Sequence, residues 1–177
     1  MKKLPPRTLI LATGIMAIAL FAANSLLQAV AGSAGKPGTR FPDLAKSELE
    51  GTVPDLHGKV VLVDLWASWC GPCKKAFPIL VDLHTNYAAR GFTVLAVSLD
   101  EKKADMDEFL AKTKPPFPAV RDAKGKLSDA LQVDSIPTSF LLGTDGRIIA
   151  RHEGFEGETT RRELATRIEA ALTAAGR

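Results

Sequence analysis

Val60-Val61-Leu62-Val63-Asp64-Leu65-Trp66-Ala67-Ser68-Trp69-Cys70-Gly71-Pro72-Cys73-Lys74-Lys75-Ala76-Phe77-Pro78 decides the fold. Its first seven residues form an apolar, β-branched run without alternation. That pattern suits a central strand in a sheet covered on both faces. A helix is expected from the cysteine motif to about Ala89, stopped by Gly91, with Phe77, Leu80, Val81 and His84 sharing a face. Pro72 is tolerated in its first turn, and Pro78 is expected to kink it. Cys70 then lies at a helix N-terminus, where the partial positive charge favours thiolate over thiol. The three-residue step puts Cys73 one turn on, close enough to close a disulfide. Gly71 and Pro72 leave no side chain in the way and preset the turn. Such a pair supports two-step exchange: the first thiolate attacks a disulfide and the second resolves the mixed product. Asp64, a carboxylate in an apolar strand, is costly unless it is used or satisfied.

Downstream, Phe92 to Leu99 reads as the next strand and residues 103–112 as a helix with Met106, Phe109 and Leu110 on one face. Lys114 to Pro118 forces an extended connection. A short strand at Ala119–Arg121 and a short helix at Leu127–Gln132 follow. Thr138 to Leu142 and Arg147 to Arg151 read as strands joined by a Thr144-Asp145-Gly146 turn. Thr160 and Glu163 have the spacing of a capping box, ahead of a stripe of Leu164, Ile168, Ala171 and Leu172. The order predicts an α/β fold with a partly parallel sheet.

The chain has 177 residues, 46% apolar and 24% charged, which excludes collagen-like and disordered classes. Residues 1–31 carry Lys2, Lys3 and Arg7 and no acid, so the net charge of +3 belongs to them. The remainder is neutral and gives no basis for nucleic-acid binding. Residues 1–31 read as an export signal: a basic start, an uncharged run from Thr8, an apolar centre from Leu9 to Ala23, and a small-x-small site at Ala29-Val30-Ala31. A retained membrane anchor is the alternative, because the run just reaches the length of a bilayer span. Either way the body is exported, to the periplasm in a bacterium. Residues 32–40, rich in Gly and small polar residues, read as a linker, and 41–177 as one folded domain. Two cysteines cannot form a disulfide framework.

Trp69-Cys70-Gly71-Pro72-Cys73, with Asp64 six residues before Cys70 and Pro78 beyond, resembles the thioredoxin superfamily. Ile136-Pro137-Thr138 is similar to that family's cis-proline turn. The leader, the Gly58-to-Val63 approach (Gly-Lys-Val-Val-Leu-Val) and the length of Asp100 to Pro137 resemble the exported TlpA/ResA group of thiol-disulfide oxidoreductases. The resemblance spans about Phe41 to Leu172. It implies a thioredoxin fold: three α/β/α layers, a mixed sheet, and an extra helix and strand between the active-site half and the cis-proline half. It implies Cys70 as nucleophile, Cys73 as resolving thiol and Asp64 as proton acceptor. Trp69, Gly71, Pro72, Ile136 and Pro137 become the substrate-facing residues. The Gly-Pro dipeptide matches the reducing end of a family range from about −270 mV to about −120 mV. The implied partners are disulfide-bearing periplasmic proteins, such as apocytochrome c or copper-site cysteine pairs, and a membrane thiol shuttle of the DsbD/CcdA kind as donor. The protein is expected to be a monomer without cofactor.

Two positions depart from the pattern. Many exported members carry an acid where this chain has Ala76, and thioredoxin carries a lysine where it has Ala96. Asp64 is therefore left without a cationic partner, and burial is expected to raise its pKa. A periplasmic oxidant or isomerase on the same fold remains a rival reading, as does a Cu(I)-binding module, since soft thiolates suit Cu(I). Zinc binding would need further ligands, and His57, His84 and His152 are scattered.

Overall fold

The apolar run Val60–Trp66 is strand β1, and every residue of it is buried. This computed structural model describes residues 35–177. After β1 come helix α1 (Gly71–Tyr87), β2 (Phe92–Ser98), α2 (Lys103–Thr113), β3 (Ala119–Arg121), α3 (Lys126–Ala130), β4 (Thr138–Leu142), β5 (Ile148–Glu153) and α4 (Glu158–Ala174). The sheet order is β3-β2-β1-β4-β5. β1 pairs parallel with β2 and antiparallel with β4. β2 pairs parallel with β3, and β4 antiparallel with β5. The sheet is therefore mixed, as expected. Among the described residues no helix is long and apolar enough to cross a membrane.

Strand periodicity divides the core in two. Val60, Leu62 and Trp66 point to one face, where they pack with Phe77, Leu80 and Leu83 of α1, Met106 of α2 and Leu164, Ile168 and Leu172 of α4. Val61, Val63 and Leu65 point to the other, against Leu127, Leu131, Phe41 and the chain near Leu44 and Leu56. The sheet is thus the middle layer of three. Trp66, Phe77 and Phe109 form an aromatic cluster with centroids 4.6–4.9 Å apart, which fixes α1 and α2 over the end of β1.

Local readings shift in three places. The buried face of α1 carries Ala76 and Leu83, while Val81 and His84 sit at its margin. The helix runs through Pro78 and ends in a 3-10 turn before Gly91, whose φ of 85° only glycine adopts readily. The capping box does not form. α4 starts two residues before Thr160, and the Thr160 hydroxyl accepts the Glu156 N–H from inside the first turn. Glu163 faces His152 instead. The sheet edge gives Gly38 and Thr39, within the stretch read as linker, and Phe41, the first residue of the domain, their backbone partners: Gly38 donates to Ile148, Ile148 to Thr39 and Phe41 to Gly146. An edge strand offers such groups to any extended segment nearby.

Candidate active site

β1 ends where α1 must begin, and the four residues between them, Ala67 to Cys70, form a loop that is held in place. Asp100, buried just past β2, accepts hydrogen bonds from the Ser68 N–H at 3.0 and 3.1 Å, the Ser68 hydroxyl at 2.7 Å and the Ser98 hydroxyl at 2.7 Å. Arg121 in turn donates to the backbone carbonyls of Asp100 and Glu101 and pairs with Glu50. The loop before the cysteines is thereby fastened to the neighbouring strand.

Cys70 is the N-cap of α1, and its sulfur accepts the Cys73 N–H at 3.2 Å. The first helical turn leaves its N–H groups unpaired, so a sulfur there is a natural acceptor. Cys70 and Cys73 form a disulfide with Cα atoms 5.3 Å apart. Cys73 is 1% exposed and Cys70 5%. A sulfur at a helix N-terminus commonly faces solvent, yet Cys70 is nearly covered, with the Ile136 carbonyl oxygen 3.8 Å from its sulfur. The open surface beside the disulfide belongs to Gly71 and Pro72, both exposed, and to Trp69 at 67% exposure. A Cβ added at Gly71 would meet nothing within 4 Å. The room is on the outside, where a partner chain would lie.

The Ile136-Pro137 peptide is cis. β4 starts one residue later, and among the described residues neither the N–H nor the C=O of Ile136 has a backbone partner. An extended segment could pair with them, as in strand addition. All the substrate-facing residues named from the sequence (Trp69, Gly71, Pro72, Ile136 and Pro137) therefore sit at the carboxyl end of β1 or the adjoining start of β4.

Asp64 lies two residues before Trp66, on the sheet face that α1 covers, and is 2% exposed. Across β2 its register neighbour is Ala96, which offers no charge. Across β4 it is Ser139, whose hydroxyl donates to Asp64 Oδ1 at 2.6 Å. Asp64 Oδ2 is buried and has no hydrogen-bond partner among the described residues. Burial pushes the carboxyl from 3.8 up to about 7, and the Ser139 hydrogen bond opposes only part of that rise. The expected upward direction holds. Among the described residues its one hydrogen-bond donor is the neutral Ser139 hydroxyl from β4, and no cation stands beside it, in line with the expectation that it lacks a cationic partner.

Sequence reasoning missed Ser139, Asp100 and Ser68. Pairing β4 antiparallel with β1 could have brought Ser139 to Asp64. For Asp100 the sequence carried no signal, since an Asp after a strand is an ordinary turn residue.

The Redoxin family matches residues 30–168. The thiol-disulfide oxidoreductase ResA of Bacillus subtilis is 31% identical over 81% of this chain and 83% of its own length. ResA of Bacillus cereus is 32% identical over 72% of this chain and 73% of its own. A crystal structure assigned as a thiol:disulfide interchange protein DsbE, from Chlorobium tepidum, aligns with a TM-score of 0.72 and 37% identity over 77% of this chain and 98% of that one. StoA from Bacillus subtilis aligns with a TM-score of 0.56 and 28% identity over 64% of this chain. With its disulfide at a strand-to-helix junction and these relatives, the chain belongs to the Redoxin family as a thioredoxin-fold, ResA-like thiol-disulfide oxidoreductase.

Proposed function

We propose that this oxidoreductase reduces disulfides of exported proteins, working in the periplasm behind the leader at residues 1–31. The leader itself lies outside the described residues. One observation carries the reading: the Cys70 sulfur caps α1 directly beneath the unpaired backbone of Ile136. A substrate segment laid against Ile136 would bring its own disulfide to Cys70, and the exposed Trp69 and the bare surface of Gly71 and Pro72 would receive it.

In the reduced protein the Cys70 thiolate attacks one substrate sulfur. The substrate S–S bond breaks, a substrate thiolate leaves, and a mixed disulfide joins Cys70 to the substrate. Asp64 takes the proton of Cys73, whose buried thiol is otherwise a poor nucleophile. Cys73 then attacks Cys70 Sγ, the mixed disulfide breaks, and the second substrate thiol departs. Two electrons have passed to the substrate, and the Cys70–Cys73 disulfide remains. A membrane dithiol of the DsbD/CcdA kind is the donor that reduces it again. Apocytochrome c and copper-site cysteine pairs are the substrate classes the reading favours.

The full chain carrying Cys73→Ser tests this. It should accumulate mixed disulfides through Cys70 with periplasmic proteins, and these should vanish in the Cys70→Ser, Cys73→Ser double variant. Capture of cytosolic proteins alone would overturn the export reading. Accumulation of the wild-type protein in the reduced form when the membrane donor is deleted would overturn the reducing direction.

A further inference from the structure

Asp64 stands in a row that crosses the sheet. Ala96, Asp64, Ser139 and His152 are successive register partners on β2, β1, β4 and β5. Register partners share a face. Here it is the one holding Leu62, Trp66, Leu141 and Ala150 under α1 and α4. Within the row, Ala96 on one side offers no polar group, and Ser139 on the other is the only donor to the carboxyl among the described residues. The Ser139 hydroxyl is itself buried and donates to Oδ1 at 2.6 Å, a separation in the range of a charge-assisted O–H···O⁻ bond. Oδ2 is buried and has no hydrogen-bond partner among the described residues.

We propose that Ser139 is a positioning residue for the resolving step: its hydroxyl ties down Asp64 Oδ1, so that Oδ2 is the oxygen open to the Cys73 proton. This rests on the reading of Asp64 as proton acceptor. The bond has a second consequence. A donor that serves the carboxylate better than the acid favours the ionised form. Ser139 therefore counters part of the desolvation that burial imposes on Asp64. Without it, fewer molecules at neutral pH hold Asp64 ready to accept a proton.

The titratable groups around Asp64 define the controls. Ala96 faces it from β2 and Ser139 from β4. α1 contributes Cys73 to this core, and α2 contributes Met106 and Phe109, which do not titrate. His152 is next in the row beyond Ser139. Its Nδ1 lies 3.5 Å from Glu163 of α4.

The test combines two readouts on the full chain. The first is a pH titration of the Asp64 carboxyl carbon by NMR in the oxidised protein, assigned with Asp64→Asn. The second is the single-turnover rate of mixed-disulfide resolution against pH. Ser139→Ala should raise the carboxyl midpoint by about one pH unit, the scale of one hydrogen bond to a charged group. It should slow resolution at pH 7 about five-fold, with the rate–pH curve displaced upward to match. Ser139→Thr, which keeps the hydroxyl, should restore both. His152→Gln should leave the carboxyl midpoint in place. An unchanged midpoint in Ser139→Ala overturns the proposal while leaving Asp64 as base. The same midpoint shift in His152→Gln also overturns it, because the titration would then follow His152. If Asp64→Asn resolves as fast as the wild type, the reading of Asp64 falls and the role of Ser139 falls with it.

Discussion

A single carboxyl group carries opposing demands here. The role proposed for Asp64 is to take a proton, and its burial makes ionisation expensive. Unfolded, it titrates near 3.8; folded, near 7. Below pH 3.8 both states hold the proton, and the side chain makes no pH-dependent difference. Between those values the unfolded chain releases its proton while the folded one keeps it, so stability falls as pH rises. Above about 7 the loss is constant at ~4 kcal/mol, using 1.36 kcal/mol per pH unit. Asp64→Asn should therefore stabilise the oxidised protein by ~2–4 kcal/mol at pH 8 and leave it nearly unchanged at pH 4. Urea unfolding at the two pH values measures this, and an equal gain at both would contradict it. The same variant should slow resolution at least ~10²-fold at pH 8, a typical size for lost general-base help. The first attack by Cys70 should be spared. Stopped-flow fluorescence of the exposed Trp69 separates the two steps.

At the scale of elements, the junction of β1 with α1 depends on supports outside the motif. Asp100 holds Ser68 by its backbone and its hydroxyl and also takes the Ser98 hydroxyl. Asp100→Ala leaves those donors without their acceptor. It should cost ~2–4 kcal/mol and slow reduction of a protein disulfide more than it slows alkylation of Cys70. Chemical denaturation and an insulin-reduction assay together check this. Below the junction, Phe77 meets Trp66, Phe109 and Phe117. Phe77→Ala opens a cavity where α1, α2 and β1 meet and should cost ~3–5 kcal/mol, read from the unfolding midpoint. The helix and the strand are linked by these rings, so slack there reaches the cysteines.

For the whole molecule, the sheet order places β4 antiparallel beside the central strand β1, so the end of β1 adjoins the start of β4. The cysteine loop leaves the sheet at the point where Ile136-Pro137 enters it. This closes a site from segments 66 residues apart in the chain. Trp69 and the Ile136 backbone, the surfaces proposed to meet a substrate, then lie at one end of the sheet. Impermeant thiol reagent added to intact spheroplasts should label the reduced Cys70 without lysis. Labelling only after lysis would contradict export.

The elements were legible in the sequence because they rest on local causes. The run Val60–Trp66 is apolar on both faces, Gly91 needs a positive φ, and Thr144-Asp145-Gly146 turns the chain between two strands. The cysteine pair, Asp64 and the Ile136-Pro137 turn were legible through the resemblance of their motifs. Long-range partners were not. Asp64 has alanines at both positions where the family pattern carries a charge, Ala76 and Ala96, yet strand register delivers the Ser139 hydroxyl from 75 positions away. Asp100 looked like a turn residue until β2 set it beside the Ser68 loop. Cys70 looked open from its helix-terminal position until the Ile136 carbonyl covered it. Local chemistry is written in neighbouring residues, whereas burial and hydrogen-bond partnership depend on which strands the sheet sets side by side. The sequence by itself determined the elements and the reactive pair. Only the tertiary structure decided what each buried polar group touches.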